Sequence, residues 1–517
     1  MRKLKGIFLS FFLLGMLQLG AQGKLTIDQV YSVKLRNSGT IIEDEQIKGY
    51  FFFYQSDKID KKTNEYTLRI VDENLAALKD IKFTDSKDIV LIEASYNGSS
   101  IVFLFYNDKE NSLEYRLYGM NGKQLYSYTK ILDKKSESYF KMIMSQNSSE
   151  ESENQNIFDI PGKGFVSVTP LRESKKYTYD VNFYSSDKKK TWTYNPVEDG
   201  KLASAQYLGA NDSIAVIEVV SKDKLMSKHS ESTLLGINLE NGRKVFEIRT
   251  QDGKNQLYPM NISTLGNSGE FLVIGPYYQG DESVTRDNSD GLGIWLMNNK
   301  GKIVRSKYVS WEKDLSKYLK VDQKGRVEDL GYIYFHKLMQ TEDGRIFAIG
   351  EGYRRVADAS GIALNVLTGS YSTGMTKLKI TDMLMLELSP NFELNNARIF
   401  EKNANNFRFS TATDMGTPHA LATVAKTYGY FDYSYTQMGK GKATFTSGYT
   451  DYEKSKEYKG MVFNAISYGD GKITTDRINL KSSASSTKLL PGKPGSVLLL
   501  EYFKKDKRLE VRMEKIN

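Results

Sequence analysis

The sequence predicts an all-β protein, a β-propeller of four-stranded blades, and three observations predict it. A two-part unit of short strands recurs along the chain, with Gly, Asn and Asp at its turns. The composition, 34 Tyr and 25 Phe against 9 Pro, suits strands, because flat and β-branched side chains pack well on a pleated surface. A spare strand near the start and a three-stranded unit at the end would together close a ring.

The first half of the unit is an apolar run, a turn and a stronger apolar run. It appears in Leu91–Tyr106 turning at Asn97-Gly98, in Gln206–Val219 turning at Asn211-Asp212, and in His336–Gly350 turning at Asp343-Gly344. The second half is an alternating hairpin, as in Glu114–Tyr128, Thr233–Arg249 and Leu292–Trp311, with Asn121-Gly122, Asn241-Gly242 and Lys300-Gly301 at the bends. Gly and Asn supply the positive φ that tight hairpin turns need. Tandem β-sandwich domains are the alternative, but recurrence of one unit along the whole chain favours stacked blades.

The last unit, Thr487–Asn517, holds three strands, the third being Arg508–Ile516. The stretch Leu25–Leu35 alternates and has no partner before it. Pairing the two would remove two exposed sheet edges at once. Counted this way residues 22–517 form one propeller domain of eight blades, with seven as the alternative.

The hairpin Leu234–Phe246, an apolar strand followed by Glu240-Asn241-Gly242-Arg243 and a second strand, resembles the repeat of quinoprotein-type propellers. The resemblance covers one hairpin per blade and lacks the docking Trp in nearly every repeat, so it implies the fold and no quinone cofactor. With its Tyr/Lys/Asn-rich body, the chain also resembles uncharacterised exported proteins of Bacteroidetes-type bacteria, a group without known activity.

The first 21 residues read as a cleavable signal peptide: Arg2, Lys3 and Lys5, an apolar run from Ile7 to Leu19, then Gly20-Ala21. The run is shorter than the ~20 residues that span a bilayer, and no later stretch approaches that length. The expected location is therefore the periplasm or the medium, without a transmembrane segment after the signal. Cysteine is absent, which excludes disulfides, thiolate metal sites and a cysteine nucleophile. Without the three signal-peptide bases the chain has 69 Lys+Arg against 63 Asp+Glu. That mild balance points away from nucleic acid.

In a four-stranded blade the connections between strands two and three share a face with the links between blades. Three enlarged segments, 276–290, 351–379 and 426–459, are read as such connections in consecutive blades, which would cluster them in one sector. Loops on a rigid scaffold are where binding usually lives. The candidate binding residues are Tyr277 and Tyr278 in the first, Tyr353, Arg354 and Arg355 in the second, and Tyr428, Tyr430, Tyr433 and Tyr435 in the third. Tyr offers an apolar face and a hydroxyl at low entropic cost, so these rings are expected to turn outward. Asp281, Glu282, Asp287 and Asp290 fit no calcium-loop spacing and read as a solvated loop. Val356–Thr368 has the spacing of a short amphipathic helix, one that packs on the rim or touches a partner or a membrane.

No catalytic residues, metal ligands or cofactor are assigned. The three histidines, His229, His336 and His419, lie far apart, and no nucleophile elbow, His-Glu-x-x-His pair or phosphate loop is present. The expected function is an exported, non-catalytic propeller that binds a protein or glycan partner in the cell envelope. The alternatives are a carbohydrate-active propeller enzyme using paired carboxylates and a scaffold subunit of an outer-membrane assembly.

Overall fold

Most strand-forming stretches pair with their neighbours in sequence, in groups of about four. The computed structural model describes residues 23–43, 46–146, 155–173, 176–187, 191–196, 201–224, 230–265, 269–280, 282, 287–322, 325–359, 373–410 and 418–516. Among these the strands form eight antiparallel sheets, the blades of an eight-bladed β-propeller. Blades 1 to 7 begin with Ser32–Val33, Ile89–Tyr96, Ile157–Ile160, Leu202–Ala210, Asn261–Leu265, Tyr332–Gln340 and Tyr433–Met438. Blade 8 begins with Ser486–Pro491. In blades 1 to 7 the body of the sheet follows the chain outward from this inner strand, with Gln251–Asp252 and Asn255–Leu257 added beside it in blade 5, and in blade 8 the outermost strand comes from the N-terminal region.

Every blade buries its faces against two neighbours, which is why the sheets arrange in a ring and not as paired sandwiches. Phe53 of blade 1 packs on Phe103 of blade 2, ring centroids 4.9 Å apart. Val216 of blade 4 and Trp295 of blade 5 share a second cluster, and Phe463 of blade 7 and Leu499 of blade 8 share a third. The outer hairpin turns interlock with the preceding blade as well. At Gly301, φ 77°, a Cβ would lie 2.6 Å from the Phe246 ring, so the bend needs glycine for both its backbone and its space.

The ring closes through the N-terminal strand, over a shorter length than the sequence suggests. Lys24–Ile27 pairs with Arg508–Lys515, Leu25 opposite Val511, as the outer strand of blade 8. Ser32–Val33 leaves that sheet and pairs with Tyr54 and Gln55 of blade 1. The expected strand Leu25–Leu35 is split because the chain must pass from the outer edge of one blade to the inner edge of the next. It turns at Gln29, φ 60°, and Tyr502 donates from its hydroxyl to the carbonyls of Val30 and Tyr31 at the crossing.

The three enlarged segments are placed as follows. The chain between Glu270–Gln279 and Gly291–Met297 joins the second and third strands of blade 5. In blade 6 the second and third strands, Ile346–Ala357 and Thr373–Leu388, run on past the body of the blade and take Asn405–Ser410 as an added strand, Leu378 opposite Phe407. Val356 and Ala357 are therefore strand, and the rest of the expected helix lies largely outside the described residues. The third segment requires a correction. Residues 426–459 contain the inner strand Tyr433–Met438 and the second strand Phe445–Lys454 of blade 7. The alternation in this Tyr-rich run comes from blade strands, and the long insertion lies just before it, between blades 6 and 7.

That insertion holds the helix Pro418–Thr427, here α1. Its Leu421, Ala422 and Ala425 pack on Leu378 and Ile380 of the extended hairpin. Gly429, φ 66°, ends it, with the Tyr430 amide donating back to the Ala425 carbonyl over 2.8 Å, a left-handed C-terminal cap. Among the described residues no helix is long and apolar enough to cross a membrane.

Candidate functional site: the central funnel

Inner strands of six blades, with Arg36 of blade 1 and Met260 just before the inner strand of blade 5, line a cavity of about 2040 Å³. It opens on the face that carries the links between blades, since its wall includes residues 481–485 between blades 7 and 8 and the end of α1. Four inner strands carry a bulge, with Ile92, Leu208, His336 and Ser434 as the extra residues. A bulge re-aims the side chains beside it. Here the neighbours include Glu93, Tyr207 and Tyr433, all of which line the funnel.

Two aromatic pairs stand in the wall. Phe158 of blade 3 stacks on Tyr207 of blade 4 with centroids 4.4 Å apart. Phe407 of the added strand stacks on Tyr430, just past α1, at 3.9 Å and 6° between planes. All four rings are half-buried and line the cavity. The Gly429 turn is what sets Tyr430 over Phe407.

Between blades 6 and 7 a charged cluster reaches the funnel. The Lys402 ammonium, fully buried, lies 3.2 Å from Glu351 and 2.5 Å from Asp432. Nε2 of His336 lies 3.3 Å from Glu351, with Tyr433 stacked on the imidazole at 4.6 Å. Backbone amides of Asp432 and Tyr433 donate to Glu351, and the Asn405 amide donates to both oxygens of Asp432. Burial works against the Glu351 charge, but Lys402 and His336 outweigh it and hold the carboxyl below its usual range. Asp432 is pushed up, first by burial and then by the Glu351 charge. One cation thus stands between two carboxylates, and Glu351 holds the negative charge.

Other carboxylates of the wall differ in how they are held. Glu93 accepts from the backbone and side-chain amides of Asn156 and from the Ile157 amide. Asp451 accepts from the Asn403 backbone and side chain. Glu218, 7% exposed, accepts from the Ser232 hydroxyl over 2.9 Å, and burial pushes it up to about 7. Nearby His419, on α1, is held down to about 4 by burial and is neutral at physiological pH. Among the described residues no group of three or more His, Asp or Glu is placed to hold a metal ion.

Of the candidates read from the sequence, Tyr430 and Tyr433 line the funnel, and Tyr428 stacks behind Tyr430 at 5.5 Å. The others do not join them. Tyr277 is buried against Tyr308 and Tyr278 against Tyr258. Tyr353 is buried and donates its hydroxyl to the Pro418 carbonyl, anchoring α1. Tyr435 is buried on Phe463. These four rings turn inward because they alternate into blade seams or under the helix. Arg354 and Arg355 are half-buried along the extended hairpin. Sequence reasoning missed Phe158, Tyr207, Phe407, Glu218, Lys402 and Asp432. Asp432 alone left a signal, a single acid inside the aromatic run Tyr428–Tyr435.

The family of unknown function DUF6770 matches residues 1–517. The chain belongs to that family. No curated protein matches it. Among solved structures it is similar to an oligogalacturonate lyase in complex with manganese, at 10% identity and TM-score 0.34, covering 91% of this chain and 97% of that one. It is also similar to prolyl oligopeptidase B from Galerina marginata bound to a 35mer substrate, at 9% identity and TM-score 0.39, covering 91% of this chain and 55% of that one. A likeness to an ACO/RPE65 chimera has 9% identity and TM-score 0.27, over 50% of this chain and 58% of that one. At these scores the likenesses carry no argument about activity.

Proposed function

We propose that this DUF6770 protein is an exported, non-catalytic β-propeller that captures a protein or glycan partner in the cell envelope through its funnel face. The observation that carries this reading is the cavity of about 2040 Å³ with half-buried aromatic rings in its wall. Small-molecule pockets run to roughly 1,000 Å³, so this space suits part of a polymer better than a metabolite. The basic, then apolar, then small-residue order of residues 1–21 supports export. A non-catalytic role is supported by the wall carboxylates Glu93, Asp432 and Asp451, each engaged by two or more protein donors.

Hydrogen exchange of the mature protein, with and without an envelope extract of the source organism, tests the reading. Protection is expected at residues 203–207, 405–407 and 426–434. Protection confined to the turns on the opposite face, around Gly122 and Gly301, would overturn it. N-terminal sequencing of protein recovered from the envelope should begin at Gln22; an intact Met1 would remove the export part.

A further inference from the structure

Several charged groups of the funnel wall are spent on the protein itself. Asp432 is held by Lys402 and Asn405, Glu93 by Asn156 and Ile157, and the Lys488 ammonium by the carbonyls of Arg36 and Ser38. The wall also offers a ligand hydroxyls and amides, among them Ser204, Gln206 and Ser482, and the rings of two aromatic pairs. We infer that the funnel takes a neutral oligosaccharide chain, stacked on Phe158–Tyr207 at one wall and on Phe407–Tyr430 at the other. This rests on the funnel-face reading above and narrows it to one ligand class.

Three physical points favour a sugar over a protein segment. The apolar face of a pyranose lies flat on an aromatic ring, while its rim of hydroxyls needs donors and acceptors of no fixed charge, and this wall supplies both. A globular partner needs about 800 Å² of matching surface on each side, which a concave funnel does not present, whereas a slender chain enters it. Glu218 adds a buried carboxyl that faces the cavity and accepts one hydrogen bond, from Ser232. Its remaining capacity can pair with a sugar hydroxyl, and with its affinity for the proton raised by burial it can donate as well as accept.

The test uses the mature full chain, immobilised, and an envelope extract of the source organism divided into three parts: untreated, digested with proteinase K, and oxidised with periodate. Periodate cleaves vicinal diols and so destroys the face a pyranose would present. Captured neutral hexose is expected to survive the protease and to disappear after periodate. Phe158→Ala and Phe407→Ala should each lower captured hexose at least tenfold, Phe407→Tyr should retain it, and Leu78→Ala on an outer strand should leave it unchanged. Thermal melts of each variant separate a lost ligand from a lost fold. Capture that survives periodate and is abolished by protease would overturn the sugar assignment while the funnel-face reading stands. Capture absent from all three parts would sink both.

Discussion

The seam between blades 1 and 2 and the funnel end of the seam between blades 6 and 7 occupy corresponding places in the ring and are filled with opposite chemistry. In the first, Phe53, Phe83, Phe103 and Tyr118 pack ring on ring, with centroids 4.9 to 6.5 Å apart. In the second, Lys402, Glu351, Asp432 and His336 meet out of solvent. A blade asks of its neighbour only that its face be covered, and hydrocarbon does this without desolvating a charge. Burying an ion costs several kcal/mol that pairing repays only in good geometry. The propeller therefore needs seams like the first, and the second is an addition that the fold does not require. It sits where the wall faces the cavity.

The largest expected effects come from breaking each seam. Phe103→Ala should cost about 3–5 kcal/mol of stability, as large-to-small core changes do. Lys402→Met should cost about as much, ~3–5 kcal/mol, because it leaves Glu351 buried without its cation. The second site separates the two cases. Adding Glu351→Gln to Lys402→Met should recover most of the loss, since the charge that lacked a partner is gone. No comparable second change restores the cavity left by Phe103→Ala. Urea denaturation of the three variants measures this, and a cost below about 1 kcal/mol for Lys402→Met would mean the cluster is not buried as described.

Glu218 sharpens the comparison, because it is a buried carboxyl with no cation beside it among the described residues. The two carboxyls should answer pH in opposite senses. Glu351 is held below the ordinary 4.5, so the stability it contributes is present above that pH and is lost as pH falls through its folded value. Glu218 is raised from 4.5 to about 7, so its contribution is full below 4.5 and is lost as pH rises through about 7. Glu218→Gln should therefore flatten the stability profile between these values by at most about 3 kcal/mol and leave the protein more stable than the parent at pH 8. Unfolding midpoints from pH 4 to pH 8 decide it; an unchanged slope would place Glu218 in water.

The fold was legible in the sequence because its signals are local. Asn121-Gly122, Asn241-Gly242 and Lys300-Gly301 lie at real hairpin bends, and the spare strand at Lys24–Ile27 does close the ring. The blade register failed in one place, at 426–459. There Tyr433 and Tyr435 read as loop aromatics because Ser434 bulges between them and blurs the alternation. The site was far less legible. Phe158 and Tyr207 meet across two blades, and Lys402 reaches Glu351 from the far end of its own blade. Such meetings are set by blade packing and strand register and leave no local spacing. Burial was misjudged for the same reason: Tyr278 and Tyr353 look alike in sequence to Tyr430, and only the packing of α1 and the blade 5 seam draws them inside.

The smallest expected effect compares two of these rings directly. Replacing Tyr430, Tyr433 and Tyr435 together would confound two environments, so each is changed alone. Tyr435 is 9% exposed and stacks on Phe463 in the seam between blades 7 and 8, so Tyr435→Ser should cost about 3 kcal/mol or more, as truncation of a buried aromatic does. Tyr430 is half-buried at the funnel wall, where its ring stacks on Phe407 and on Tyr428. Each such stack is worth about 1 kcal/mol, so Tyr430→Ser should lower the melting temperature by only about two degrees in a chain of this length. If the wall is a binding surface, Tyr430→Ser abolishes ligand capture at temperatures where the fold is intact. A melting-temperature drop as large as that of Tyr435→Ser would show instead that Tyr430 belongs to the core, and the aromatic pair on that side of the funnel would cease to be a platform.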